Sequence, residues 1–261
     1  MTEQGAYIAL AILPLTALLS TEPIGASWGY KHARRGIMPV PPLPPELRER
    51  SERNLRYIGF LEVGVQCLLV YFLARKYSVP AADIGLQLRR WPILAALGAA
   101  VGLMYLVYLK LMRAGGSRLA RKEVAYYTPD YLTHGSTLHW VISNIASCFS
   151  EEFWRAFCLV SLYQVHHGAM FAVVASSLAF ALYHFQMAGH GVLYEFGRLS
   201  SYIIFGVLFA ALFLVTHSIV PTYSGHLLVN LVALYRARGN RGQTVPGFPT
   251  PPMARTANSA T

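Results

Sequence analysis

The sequence predicts an all-α fold, a polytopic membrane helix bundle of about seven transmembrane helices with a polar cavity among the last four. Three observations lead there. Only 13% of the 261 residues are charged and 54% are hydrophobic, whereas soluble domains carry about 25% charged residues. The apolar residues are gathered into runs near the length of about 20 residues that crosses a bilayer as a helix. Within those runs acids are confined to Glu62, Glu151 and Glu152.

The runs cover roughly residues 5–20, 55–73, 91–111, 138–163, 169–187, 199–216 and 219–237, the first and fifth a little short. The third opens on Trp91-Pro92, with proline in the first helical turn, where its missing N–H is no loss. Between the first two runs, Pro39-Val40-Pro41-Pro42-Leu43-Pro44-Pro45 is an extended segment, and the charged stretch Glu46 to Arg56 is a helical lead-in to the second. From Val79 to Arg90, Pro80 and the run Ile84-Gly85-Leu86-Gln87-Leu88-Arg89-Arg90 suggest a short interfacial amphipathic helix, with a plain basic loop as the alternative. The expected organisation is residues 1–135 as N-terminal transmembrane helices with basic loops and the interfacial segment, 136–238 as the helices that carry the chemistry, and 239–261 as a disordered tail.

The net charge of +10 does not signal nucleic acid, because Lys and Arg lie between apolar runs rather than along one stripe. They act as topology determinants. Their excess in alternate loops, beginning with the first, puts the N-terminus outside and the C-terminus in the cytoplasm. The apolar first run lacks a basic lead and a cleavage site, so it is expected to be a retained span. Cys67, Cys148 and Cys158 lie within apolar runs and carry neither a disulfide nor a zinc pattern.

Chemistry is narrowed by what the spans contain. Both aspartates, Asp83 and Asp130, lie outside them, which excludes an intramembrane aspartyl dyad; GxSxG and HExxH are absent. Glu151 and Arg155 are four residues apart and Glu152 and Arg155 three, so the guanidinium can reach either carboxylate on one helix. Phe180 and His184 share a face of the fifth span, and His226 and Asn230 share a face of the seventh. Converging, these faces could activate a water and stabilise an oxyanion. A lone intramembrane His or Asn is more often interhelical glue, and Phe180 and Trp154 are packing residues by default. For three charges within two turns of a span, the cost of burial favours function over a structural salt bridge.

An acidic pair followed by Arg155, then Phe180-x-x-x-His184, then His226-x-x-x-Asn230 resembles the CPBP family, the CAAX prenyl endoprotease and bacteriocin-processing (Abi-like) membrane proteins. The resemblance covers about residues 138 to 237. It implies an intramembrane glutamate-type endopeptidase that cuts a peptide near a membrane-anchored or lipidated C-terminus, with a membrane-associated peptide or protein and the lipid bilayer as partners. It also implies roles: Glu151 as general base with His184 sharing the water, His226 with Asn230 at the oxyanion, Arg155 and Phe180 as structural support, and Glu152 as reserve base. The family pattern has two glutamates, three residues, then Arg; anchored on Arg155, Ser150 stands at the first glutamate. No cofactor is expected on this reading. The alternatives are a zinc metalloprotease built from the same Glu and His residues, or a non-catalytic immunity, binding or proton-linked transport protein. The location that follows is a bacterial-type cytoplasmic membrane.

Overall fold

The computed structural model describes the backbone of residues 2–12, 15, 45–114, 137–166, 168–184 and 192–239, and within these the side chains of all but 45–59, 113–114, 139, 192–198 and 236–239. The proline-rich segment before Pro45 and the tail beyond Gly239 lie outside the described residues. Among those residues there are seven helices and no strand: α1 (3–12), α2 (Pro45–Lys76), α3 (Trp91–Ala114), α4 (Thr137–His166), α5 (Ala169–Tyr183), α6 (Val192–Thr216) and α7 (Ile219–Gly239).

Local chemistry sets the breaks. Gly168 enters α5 in an extended conformation, and the helix stops at His184, whose N–H still reaches Phe180 O. Between α6 and α7 the chain reverses through His217 at φ +50°, and Ser218 Oγ accepts the Val220 N–H at 3.2 Å as an N-cap. The expected interfacial helix at 79–90 is not formed: the segment runs as turns. Gly85 adopts φ +79° and its carbonyl accepts the Ile219 N–H at 3.2 Å, so the backbone leaves helical geometry to cap the start of α7. A side chain there would meet Phe213 and the backbone of Ser218.

α4 is the central helix, packed on α2, α5 and α7, and every residue from Ser150 to Leu159 is buried. Trp154 Nε1 donates to Ala9 O at 2.7 Å, tying α1 to α4. α7 lies along α3, where Gly98 and Gly102 face Pro221, Ser224 and Gly225. A Cβ on Gly102 would stand 2.8 Å from Gly225 O, and Ser224 Oγ donates to Ala95 O at 3.0 Å. Small residues at such spacing let helix backbones approach where lipid removes the hydrophobic drive between helices. This contact places His226, the next residue after Gly225, in the interior.

The outward faces are apolar. On α5, Met170, Val174, Leu178 and Leu182 recur every four residues and are exposed, while Ser176 and Ser177 are buried on the opposite side. α3 exposes Ile93, Leu103, Met104, Val107 and Leu111. Exposed apolar faces of this kind suit contact with lipid. By length and composition, Trp91–Met112 and Leu199–Thr216 pass as membrane-crossing helices, while Ala169–Tyr183 and Ile219–Tyr235 are apolar but shorter.

The α3–α7 contact is testable. Gly98→Leu should lower the melting temperature of the detergent-solubilised protein, by overpacking that costs about 1–3 kcal/mol or more. Gly64→Ala is the control, since nothing lies within 4 Å of a Cβ there. Equal melting temperatures for both would show that the two backbones do not meet.

Candidate active site

Four helices contribute charged or polar side chains to one buried cluster. Adjacent residues on a helix point about 100° apart, so Glu151 and Glu152 have different neighbours although both are buried. Glu152 turns toward α7: its Oε1 is paired with Arg155 and stands 2.7 Å from His226 Nδ1. Of the two partners that sequence spacing allowed Arg155, the structure therefore uses Glu152. The guanidinium also lies over three aromatic rings, with Cζ 4.5 Å from the centre of Phe180, 5.6 Å from Phe205 and 5.8 Å from Phe209. Phe180 thus supports the cluster from α5, while α6 supplies two rings that spacing did not single out.

Glu151 faces the histidines. Its Oε2 is 3.7 Å from His184 Nε2 and 3.8 Å from His226 Nε2, and it is buried with no hydrogen-bond partner. These gaps are too long for direct hydrogen bonds. Both imidazoles are held at the other nitrogen: His184 Nδ1 is 2.9 Å from Phe180 O, and His226 Nδ1 is bound to Glu152. A carbonyl and an arginine-paired carboxylate only accept, so the neutral rings carry their protons on Nδ1 and leave Nε2 as acceptors. Glu151 Oε2 thus faces two imidazole lone pairs, a set of acceptors that suits a species that donates, such as a water. The i to i+4 spacing of Phe180 and His184 accounts for this at α5, because the Phe180 carbonyl, which already accepts the His184 N–H at 3.4 Å, has a second lone pair for the imidazole. Tyr202 of α6 stacks on the His184 ring at 4.4 Å.

Asn230 follows His226 by one turn, and its Nδ2 donates to Cys148 Sγ of α4 at 3.2 Å. It therefore lies farther along the α4–α7 seam, bound to a weak acceptor. Cys67, Cys148 and Cys158 are free thiols. Among the described residues no three His, Cys, Asp or Glu side chains form a group placed to hold a metal ion.

Sequence reasoning named Glu62 as an acid within a span without placing it at the site, and missed Gln66 and Tyr183. Glu62, Gln66 and Tyr183 approach the cluster from α2 and α5, and Ser150 Oγ turns to Gln66 Oε1 at 3.0 Å. A usable signal existed: Glu62 and Gln66 are an acid and an amide four residues apart on an apolar span, a pairing that is costly in lipid unless it faces protein.

Comparison with known proteins gives one match. Residues 133–232 fit the family model described as Type II CAAX prenyl endopeptidase Rce1-like. No curated protein and no solved structure matches the chain.

Arg155→Lys should destabilise the protein although the charge is kept, because an ammonium cannot pair with Glu152 and cover three aromatic faces at once. Arg155→Ala should be worse, by about 3–5 kcal/mol, since Glu152 would be left as an unpaired buried charge. Thermal melting in detergent measures both; a Lys variant that melts with the parent would show that planarity is irrelevant there.

Proposed function

We propose, since residues 133–232 match the family model described as Type II CAAX prenyl endopeptidase Rce1-like, that this protein is a glutamate-type intramembrane endopeptidase. Its substrate is a membrane-associated peptide or protein, cut near an anchored or lipidated C-terminus. The observation that carries the mechanism is that buried Glu151 Oε2 lies 3.7 Å from His184 Nε2 and 3.8 Å from His226 Nε2.

A water held there gives a proton to Glu151 as its oxygen attacks the scissile carbonyl carbon. The carbonyl π electrons move to oxygen, and the Asn230 amide, released from the weak thiol acceptor Cys148, donates to that oxyanion. Glu151 then passes the proton to the departing nitrogen, the C–N bond breaks, and the carboxylate is restored. His226, with its proton on the Nδ1 facing Glu152, helps hold the water; it joins Asn230 at the oxyanion only when its ring gains a second proton. Glu152 is engaged by Arg155 and His226, which makes it a support rather than a reserve base. Ser150 is turned away toward α2, so the missing first glutamate of the family pattern leaves Glu151 as the acid at the water.

The chain is read as multi-pass in a bacterial-type cytoplasmic membrane with a cytoplasmic C-terminus. Supporting this are the exposed apolar faces of α3 and α5 and the excess of Lys and Arg in alternate loops.

Cleavage of a fluorogenic peptide with a prenylated C-terminal cysteine tests the assignment. Glu151→Gln should lower kcat by about 10² to 10⁴, with melting near that of the parent. Glu152→Gln should lower melting as well, since its loss leaves Arg155 without its carboxylate. Equal activity losses with equal melting would point to a coupled acid pair and count against Glu151 as sole base. Dialysis against a chelator should leave activity intact. Loss restored by zinc would instead establish the metalloprotease alternative.

A further inference from the structure

We propose that Glu62 and Gln66 of α2 form a positioning clamp that sets the gap between Glu151 and His184, an inference that rests on the peptidase reading. The hydrogen bonds run in one direction. Ser150 Oγ stands 3.0 Å from both Gln66 Oε1 and Ser147 O and shares its one proton between them, Gln66 Nε2 donates to Glu62 Oε1 at 3.2 Å, and Tyr183 OH donates to the same Glu62 Oε1 at 3.4 Å. Gln66 and Ser150 are each only 1% exposed. The amide of Gln66 is oriented by this chain, with its oxygen accepting from α4 and its nitrogen donating along α2.

The two outer members are the immediate neighbours of the reacting groups. Ser150 precedes Glu151 on α4, and Tyr183 precedes His184 at the end of α5. His184 is the C-cap of its helix, where backbone restraint is weakest because the last turn lacks the full set of helical hydrogen bonds. A phenol anchored to α2 one residue earlier restrains that end against the element that also holds Ser150. One pair of residues at i and i+4 on a third helix therefore ties both catalytic helices to a common reference. The reference ends on a carboxylate, the strongest acceptor available. A merely packed helix would have no use for an acid and an amide here, since apolar residues fill such positions without the cost of burial in lipid.

Misplacing a reacting group by about 1 Å can cost about 10²-fold in rate, so the clamp predicts a split between turnover and binding. Tyr183→Phe, which removes one oxygen and keeps the ring, should lower kcat by about 10- to 100-fold with KM and melting near those of the parent. Glu62→Leu should act in the same way, and Glu62→Gln, which keeps an oxygen to accept both hydrogen bonds, should restore most of kcat. A ¹⁵N-histidine spectrum of the detergent-solubilised protein, with the His184 ring signals identified by His184→Asn, gives a readout independent of turnover. Those signals should shift in Tyr183→Phe and stay in place in Glu62→Gln.

Parental kcat in Tyr183→Phe, or unmoved His184 signals, would overturn the clamp. Glu62→Gln as inactive as Glu62→Leu would also overturn it, by making the Glu62 charge itself part of the chemistry. If the parent cleaves no peptide, the peptidase reading fails and the histidine spectrum alone decides whether α2 positions His184.

Discussion

The structure is organised around one buried cation. Arg155 is almost wholly removed from solvent, and a charge in that position persists only if it is paired and surrounded by polarisable groups. Four helices meet that demand. α4 supplies Glu152, α7 adds His226 to the same carboxylate, α5 brings Phe180 and α6 brings Phe205 and Phe209. The aromatic faces matter because Arg155 Nε and Nη1 have no hydrogen-bond partner, and a ring quadrupole is the attraction left to them. Satisfying this one charge therefore gathers the helices that carry the reactive groups.

Glu152 and Glu151 divide the work that a single carboxylate could not do. Glu152 is engaged by Arg155 and His226, which fixes the His226 tautomer and leaves Nε2 toward Glu151. Glu151 keeps an oxygen without a partner. An unsatisfied buried acceptor destabilises the resting fold, and on the proposed mechanism that cost is retained because the group is kept for a water. The neighbourhood is correspondingly stiff: His184 is stacked on Tyr202 and held through Nδ1, so little reorganisation is needed when a water enters.

The helices that hold this site are poor membrane spans when judged alone. α4 carries three charges and α5 has only 15 residues, about 22 Å at 1.5 Å per residue against a hydrocarbon core of about 30 Å. The apolar α6 packs on α5 and the apolar α3 packs on α7. The close glycine contact of α3 with α7 sets His226, and Gly206 of α6 lies against Ser177 of α5. Anchoring and chemistry are thus assigned to different helices.

Hydropathy and length by themselves located helices at all seven apolar runs, and i to i+4 spacing by itself put His184 beside Phe180 and Asn230 one turn after His226. These are local properties, determined by helix periodicity. Which acid Arg155 pairs with was not local, since both spacings were allowed and the choice depends on where α7 presents His226. The turns at 79–90 followed from Gly85 capping α7, a contact across more than 130 residues. Only the tertiary structure decided the participation of α2, because Glu62 and Gln66 acquire meaning when Ser150 and Tyr183 arrive from two other helices, and distances between helices are set by side-chain packing that no spacing along one helix encodes.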